Sequence, residues 1–119
     1  MIFIVDDDDG TRDALRVLVE SEGLDARDFA SGRSFLDGVR PAEGDCLILD
    51  LNMPGMNGFE VLEELRRRGL RLPAIVVTAE PSSVKMERAL AAGALALLSK
   101  PLAVDGLLAL IRRGTTRGD

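Results

Sequence analysis

Four places in this 119-residue chain set a charged or hydroxyl-bearing side chain at the end of a short apolar run. Ile2-Phe3-Ile4-Val5 runs into Asp6-Asp7, Cys46-Leu47-Ile48-Leu49 into Asp50, Ala74-Ile75-Val76-Val77 into Thr78, and Ala94 to Leu98 into Ser99-Lys100-Pro101. Apolar runs this short, rich in branched side chains, read as strands buried on both faces, the pattern of a parallel sheet. Parallel strands place all their carboxyl ends on one side, so Asp6, Asp7, Asp50, Thr78 and Lys100 converge despite their separation in sequence. Carboxylates brought within a few ångströms of one another repel, and each tends to hold a proton. A divalent cation relieves the repulsion. An all-oxygen donor set suits magnesium better than zinc, the more so in a chain with no histidine and one cysteine. A carboxylate beside such a cation, flanked by an ammonium and a hydroxyl, suits phosphoryl transfer. The carboxylate oxygen can attack phosphorus as a covalent nucleophile, giving an acyl phosphate. The metal and Lys100 would neutralise charge on the phosphoryl oxygens, with Thr78 hydrogen-bonded to one of them.

The segments between these runs must position them. Leu15, Leu18 and Val19 fall at i, i+3 and i+4, the buried stripe of a helix that Gly23 stops. Residues 24–29 form a more polar strand, expected at a sheet edge. Ser31 caps a short helix through about Val39, with Phe35 and Leu36 inward. After the loop Met53-Pro54-Gly55-Met56-Asn57-Gly58, the spacing of Leu62 and Leu65 predicts a helix over 59–68, ended by Gly69. Further helices are expected over 83–92, stopped by Gly93, and over 104–113. Five strands, each followed by a helix, imply right-handed crossovers: an α/β, doubly wound, five-stranded parallel sheet with helices on both faces. Residues 1–113 are expected to form this one domain, and 114–119 a linker or disordered tail.

Composition narrows the function classes. With 46% hydrophobic and 29% charged residues, the chain can bury a core and is not intrinsically disordered. A net charge of −5 argues against gripping nucleic acid or an anionic membrane through bulk charge. The lack of histidine removes imidazole metal sites and His-based triads, and a single cysteine excludes an internal disulfide. No apolar run approaches the ~20 residues of a membrane span, and the start lacks the basic residues of a signal peptide. A soluble, cytoplasmic, acidic domain is expected.

At the strand ends the chain resembles a response-regulator receiver domain of two-component signalling, over essentially all 119 residues. The matching elements are Ile4-Val5-Asp6-Asp7, Leu49-Asp50-Leu51-Asn52-Met53-Pro54-Gly55, Asn57-Gly58, Val77-Thr78-Ala79 and Lys100-Pro101. Each alone is a weak motif; together, at this spacing, they are specific. The start and loop lengths are similar to the FixJ/LuxR-type transcription regulators. The resemblance implies a flavodoxin-like strand order 2-1-3-4-5, Asp50 as phosphoacceptor, and magnesium held by Asp7, Asp6, Asp50 and the backbone carbonyl of Asn52. It implies Thr78 and Lys100 on the phosphoryl group, a cis Lys100-Pro101 bond, and a phosphoryl donor that is a sensor histidine kinase or acetyl phosphate. Asn52 and Glu80, two residues after Asp50 and after Thr78, would tune self-dephosphorylation and make it quick. An output step is implied as well: a homodimer through the helix 4–strand 5–helix 5 face, expected to carry Val84, Ala91, Leu97, Leu107 and Leu108, and a DNA-binding output domain outside this chain. One departure stands out. Leu97 occupies the position three before the lysine where the family carries Tyr or Phe, so the partner of Thr78 in the switch lacks a ring.

Plainer readings compete at several positions. Asp8 and Asp9 suit solvent or the first turn of the following helix. Arg66-Arg67-Arg68 reads as the coat of a helix end, Met53 and Met56 as loop packing, and Cys46 as a small buried hydrophobe. Gly55 and Gly58 lack dinucleotide-binding spacing. Two further functions stand against the switch. One is a phosphorylation-independent receiver-like interaction module, favoured by Leu97. The other is a true magnesium phosphatase, for which 119 residues supply neither an added acid–base group nor a substrate cap.

Overall fold

Branched apolar side chains set where the strands form. In the computed structural model, which describes residues 1–115, they are β1 (Ile2–Val5), β2 (Ala26–Phe29), β3 (Cys46–Asp50), β4 (Ala74–Thr78) and β5 (Ala96–Ser99). The helices between and after them are α1 (Asp9–Ser21), α2 (Gly32–Gly38), α3 (Gly58–Arg67), α4 (Ser83–Ala91) and α5 (Val104–Thr115). All strand pairs are parallel and the order is β2-β1-β3-β4-β5. The doubly wound architecture expected from the strand–helix alternation is therefore the one observed, with the more polar β2 at an edge.

Side chains alternate across each strand and feed two cores. Phe3, Val5, Leu49 and Val76 join Phe35, Phe59, Leu62, Leu65 and Ala89 on the side of α2, α3 and α4. Ile2, Ile4, Ile48 and Ile75 join Leu15, Val19, Leu107 and Ile111 on the side of α1 and α5. Each such Val, Leu, Ile or Phe side chain, withdrawn from water, contributes about 1.5–3 kcal/mol before the entropy of ordering is subtracted. Four helices begin on a polar cap that accepts from the first turn: Asp8, Ser31, Asn57 and Ser82. Asn57 and Glu60 form a reciprocal capping box.

The departures are local. β5 begins at Ala96, not Ala94, because the Ala94 amide closes the end of α4 on the Ala89 carbonyl. α5 continues to Thr115, two residues into the segment expected as a linker. Gly114 is buried there, where a Cβ would stand 2.9 Å from Cys46 Sγ. Positions 116–119 of that expected tail lie outside the described residues. The expected apolar output face also needs correction. Leu97 and Leu107 are buried in the two cores. Val84, by contrast, is 71% exposed on α4. The other exposed large apolar side chains of these two helices are Met86 and Leu90 on α4 and Val104 at the start of α5. Among the described residues no helix is long and apolar enough to cross a membrane.

Candidate functional site

The register brings the four sequence-distant motifs to one rim. Val5 pairs with Leu49 and Leu49 with Val76, so Asp6 and Asp50 leave neighbouring strands at the same level. Ladder bonds extend past the strand ends: the Asp6 amide donates to the Phe29 carbonyl at 3.1 Å, Leu51 to Val77 at 2.9 Å, and Lys100 to Thr78 at 2.9 Å. Each functional side chain is thus anchored by backbone on the strand that delivers it. The Lys100–Pro101 peptide bond is cis, as the resemblance implied.

Asp6, Asp7 and Asp50 each offer a carboxylate oxygen, and the three lie within 4.8 Å of one another. Asp6 and Asp50 are buried, and Asp7 faces solvent. Lys100 is the cation they share, with Nζ 3.2 Å from Asp6 Oδ2 and 3.5 Å from Asp50 Oδ1. Burial pushes the Asp50 carboxyl up to about 6, the neighbouring Asp6 charge adds to the rise, and Lys100 only partly offsets it. Burial works against the Lys100 ammonium, yet Asp50 and Asp6 together raise its pKa above the ordinary lysine value. One ammonium among three carboxylates leaves the rim with excess negative charge. An all-oxygen set carrying that excess, open to solvent at Asp7, fits a hard dication such as magnesium.

Thr78 is fully buried and already engaged. Its Oγ1 accepts from Asn52 Nδ2 at 3.0 Å and from the Glu80 amide at 3.1 Å, leaving the hydroxyl proton to donate. Asn52, two residues after Asp50, is therefore bonded directly to the threonine of the neighbouring strand. Its own amide approaches Asp50 Oδ1 at 3.4 Å. Glu80 reaches Thr78 through its backbone, and its side chain is exposed. Leu97 lies on the same face as its strand partner Val76, in the core under α4, where the chain has no ring.

The remaining acids and bases settle into the plainer roles. Asp8 caps α1 by accepting from Thr11 N and Oγ1 at 2.8 and 2.6 Å, and the hydroxyl bond lowers its pKa. Arg67 and Arg68 pair with Glu64 at the end of α3. Met53 packs in the core, and burial pushes the Cys46 thiol up to about 11. Sequence reasoning missed Arg12. It looks like one more polar residue on the outer face of α1, and only the fold turns it toward the Asp6 carbonyl.

The sequence profile of the response regulator receiver domain matches residues 2–112. The chain is 34% identical over 116 residues to the transcriptional regulatory protein FixJ of Azorhizobium caulinodans, covering 98% of this chain and 55% of that protein. It is 38% identical over 112 residues to the response regulator protein TmoT of Ectopseudomonas mendocina, covering 94% of this chain and 51% of TmoT. Among solved structures, the response regulator StyR superposes with a TM-score of 0.87 at 38% identity, over 96% of this chain and 58% of that one. The FixJ-N crystal structure superposes at 0.86 and 28%, over 98% and 93%. The chain belongs to the response-regulator receiver domain family of two-component signalling. It spans about half the length of the curated relatives it matches, of which FixJ and TdiR are named as transcriptional regulatory proteins.

Proposed function

We propose that this receiver is a phosphorylation-controlled switch in which Asp50 accepts a phosphoryl group. The observation that carries the reading is the convergence of Asp6, Asp7 and Asp50 within 4.8 Å around the Lys100 ammonium, at the rim where Thr78 also ends its strand. Asp6, Asp7, Asp50 and the Asn52 carbonyl would hold magnesium. Bound there, the ion supplies positive charge for the phosphoryl oxygens. Asp50 attacks phosphorus with a carboxylate oxygen as the bond to the donor breaks. With a sensor kinase's phosphohistidine that bond is N–P, and the imidazole leaves as a neutral group after taking up a proton; with acetyl phosphate, acetate leaves. Lys100 already bridges Asp6 and Asp50 and needs little movement to meet the new charge. Thr78 has its hydroxyl proton available, but its oxygen must leave Asn52 Nδ2 and the Glu80 amide if the side chain is to swing toward the phosphoryl group. Hydrolysis returns the site to rest; Asn52 and Glu80, two residues after Asp50 and after Thr78, would orient the water and make the lifetime short.

The consequence of phosphorylation is a change of partner at the α4–β5–α5 face, where Met86, Leu90 and Val104 supply the apolar contact for a homodimer. Transcription control through a DNA-binding output domain outside this chain, in the cytoplasm, follows the transcription-regulating relatives. Leu97 favours a second reading, a receiver-like interaction module that works without phosphate, because no ring is present to move as Thr78 moves. Intact-mass measurement after incubation with acetyl phosphate and magnesium separates the two. The switch requires one added phosphoryl mass, absent in Asp50→Asn and decaying within minutes to an hour once the donor is removed. No adduct, from acetyl phosphate or from a cognate kinase, leaves the interaction module.

A further inference from the structure

Arg12 sits in the first turns of α1, and its guanidinium joins three elements. Nη1 donates to the backbone carbonyl of Asp6 at 2.9 Å, Nε donates to Asp28 Oδ2 of β2 at 3.2 Å, and Nη2 bonds Asp9. Only 14% of the side chain is exposed, unusual for an arginine on a surface helix. Asp28 is braced from its other oxygen by Arg16 Nη1 at 3.1 Å. The Asp6 residue itself is tied on every polar group: its amide to Phe29, its carboxylate to the Asp8 amide at 2.9 Å and to Lys100, and its carbonyl to Arg12. That carbonyl belongs to the planar peptide joining Asp6 to Asp7. Fixing it fixes the direction in which the exposed Asp7 leaves the end of β1. A planar guanidinium can hold the carbonyl and Asp28 together because its donors are rigidly forked; a lysine ammonium offers a single point.

We propose that Arg12 is a positioning residue for the magnesium site, clamping the Asp6–Asp7 peptide to β2 through Asp28 so that both carboxylates face the ion. The inference rests on the magnesium-binding reading above. Charge alone and positioning predict opposite signs. Removing a cation beside an anionic rim should tighten magnesium binding by simple electrostatics. Loosening the group that aims the ligands should weaken it, by roughly tenfold or more as for other outer-shell partners of metal ligands.

The experiment is titration calorimetry with magnesium chloride alone, on the full chain near pH 7, beside thermal unfolding of each metal-free protein to establish that it folds. Arg12→Ala is expected to bind magnesium roughly tenfold more weakly than wild type. Arg12→Lys, which keeps the charge and spares the fold, is expected to lose most of the same affinity. Arg16→Ala removes a cation from the same ion network without touching the Asp6 carbonyl, and its affinity is expected to equal or exceed that of wild type. Unchanged or tighter binding by Arg12→Ala overturns the proposal, as does the same result in Arg12→Lys should the alanine chain not fold. Equal weakening in Arg16→Ala overturns it too, because the loss would then not depend on the hydrogen bond to the Asp6 carbonyl. Absence of magnesium binding by the wild-type chain is a different result: it removes the metal reading itself.

Discussion

Asp50 is held in an uncomfortable state by its surroundings, and that discomfort has a sign. Its carboxyl is pushed up to about 6 by burial and by Asp6, against an ordinary aspartate value near ~3.9 when unfolded. Between those two values the folded chain keeps a proton that the unfolded chain has released, so stability falls as pH rises through that window. Above it both states are ionised and the full penalty is present; below it both are protonated and the penalty is gone. Asparagine cannot ionise. Metal-free Asp50→Asn is therefore expected to be more stable than wild type at pH 7, by a margin on the order of 2–3 kcal/mol. The margin should shrink as pH is lowered from about 6 toward 4. Urea unfolding of both proteins in a chelator at several pH values measures it. An asparagine variant no more stable than wild type at pH 7 would contradict the strained-carboxylate account. The same excess charge is what a bound dication would relieve.

At the scale of elements, the site depends on how closely α3 approaches the end of β3. The Gly58 amide donates to the Leu51 carbonyl at 2.9 Å, seating the start of the helix directly on the turn after Asp50. A Cβ at position 58 would lie 2.8 Å from the Asp50 carbonyl oxygen and 2.9 Å from Leu51 Cα. Both are backbone atoms and cannot swing aside. Gly58→Ala is expected to cost roughly 1–3 kcal/mol of stability, the usual range for overpacking. It should also slow acetyl phosphate labelling, because the backbone that carries Asp50 must shift. Labelling at the wild-type rate in a folded Gly58→Ala protein would show that the close approach serves packing only. Leu97 shows the opposite balance. Its β5 position buries it under α4 in a cluster with small residues such as Ala89 and Ala94, and the element accommodates an aliphatic side chain where the family resemblance implies a ring.

Across the whole molecule, the acidic rim and the exposed apolar side chains of the α4–β5–α5 face lie on different surfaces. The carboxylates gather at the carboxyl-end rim, while Met86, Leu90 and Val104 are exposed on the helices flanking the edge strand β5. If that face takes a second copy after phosphorylation, Leu90→Glu should abolish donor-dependent self-association and leave the rate of Asp50 labelling unchanged. Sedimentation velocity with and without acetyl phosphate reads the first quantity and intact mass the second. Loss of labelling in Leu90→Glu, or undiminished association, would detach the output contact from this face. Leu107→Glu would be no substitute, since Leu107 is fully buried and a charge there costs the fold.

Much of this protein was written in one-dimensional pattern. Short apolar runs ending in Asp, Asp, Thr and Lys sufficed for the α/β alternation, the parallel sheet and the set of residues brought together, because strand burial and crossover handedness leave few other arrangements. The cap at Ser31 was legible for the same local reason, whereas Asp8 and Asn57 emerged as caps only in the structure. What sequence could not decide were relations between side chains on different elements. That Leu97 and Leu107 are core and Leu90 is not, that Asn52 bonds Thr78, and that Arg12 reaches back to the Asp6 carbonyl each depend on the angle and distance at which two elements pack. Periodicity names the face of a helix that is buried; only packing says which neighbour lies on each flank.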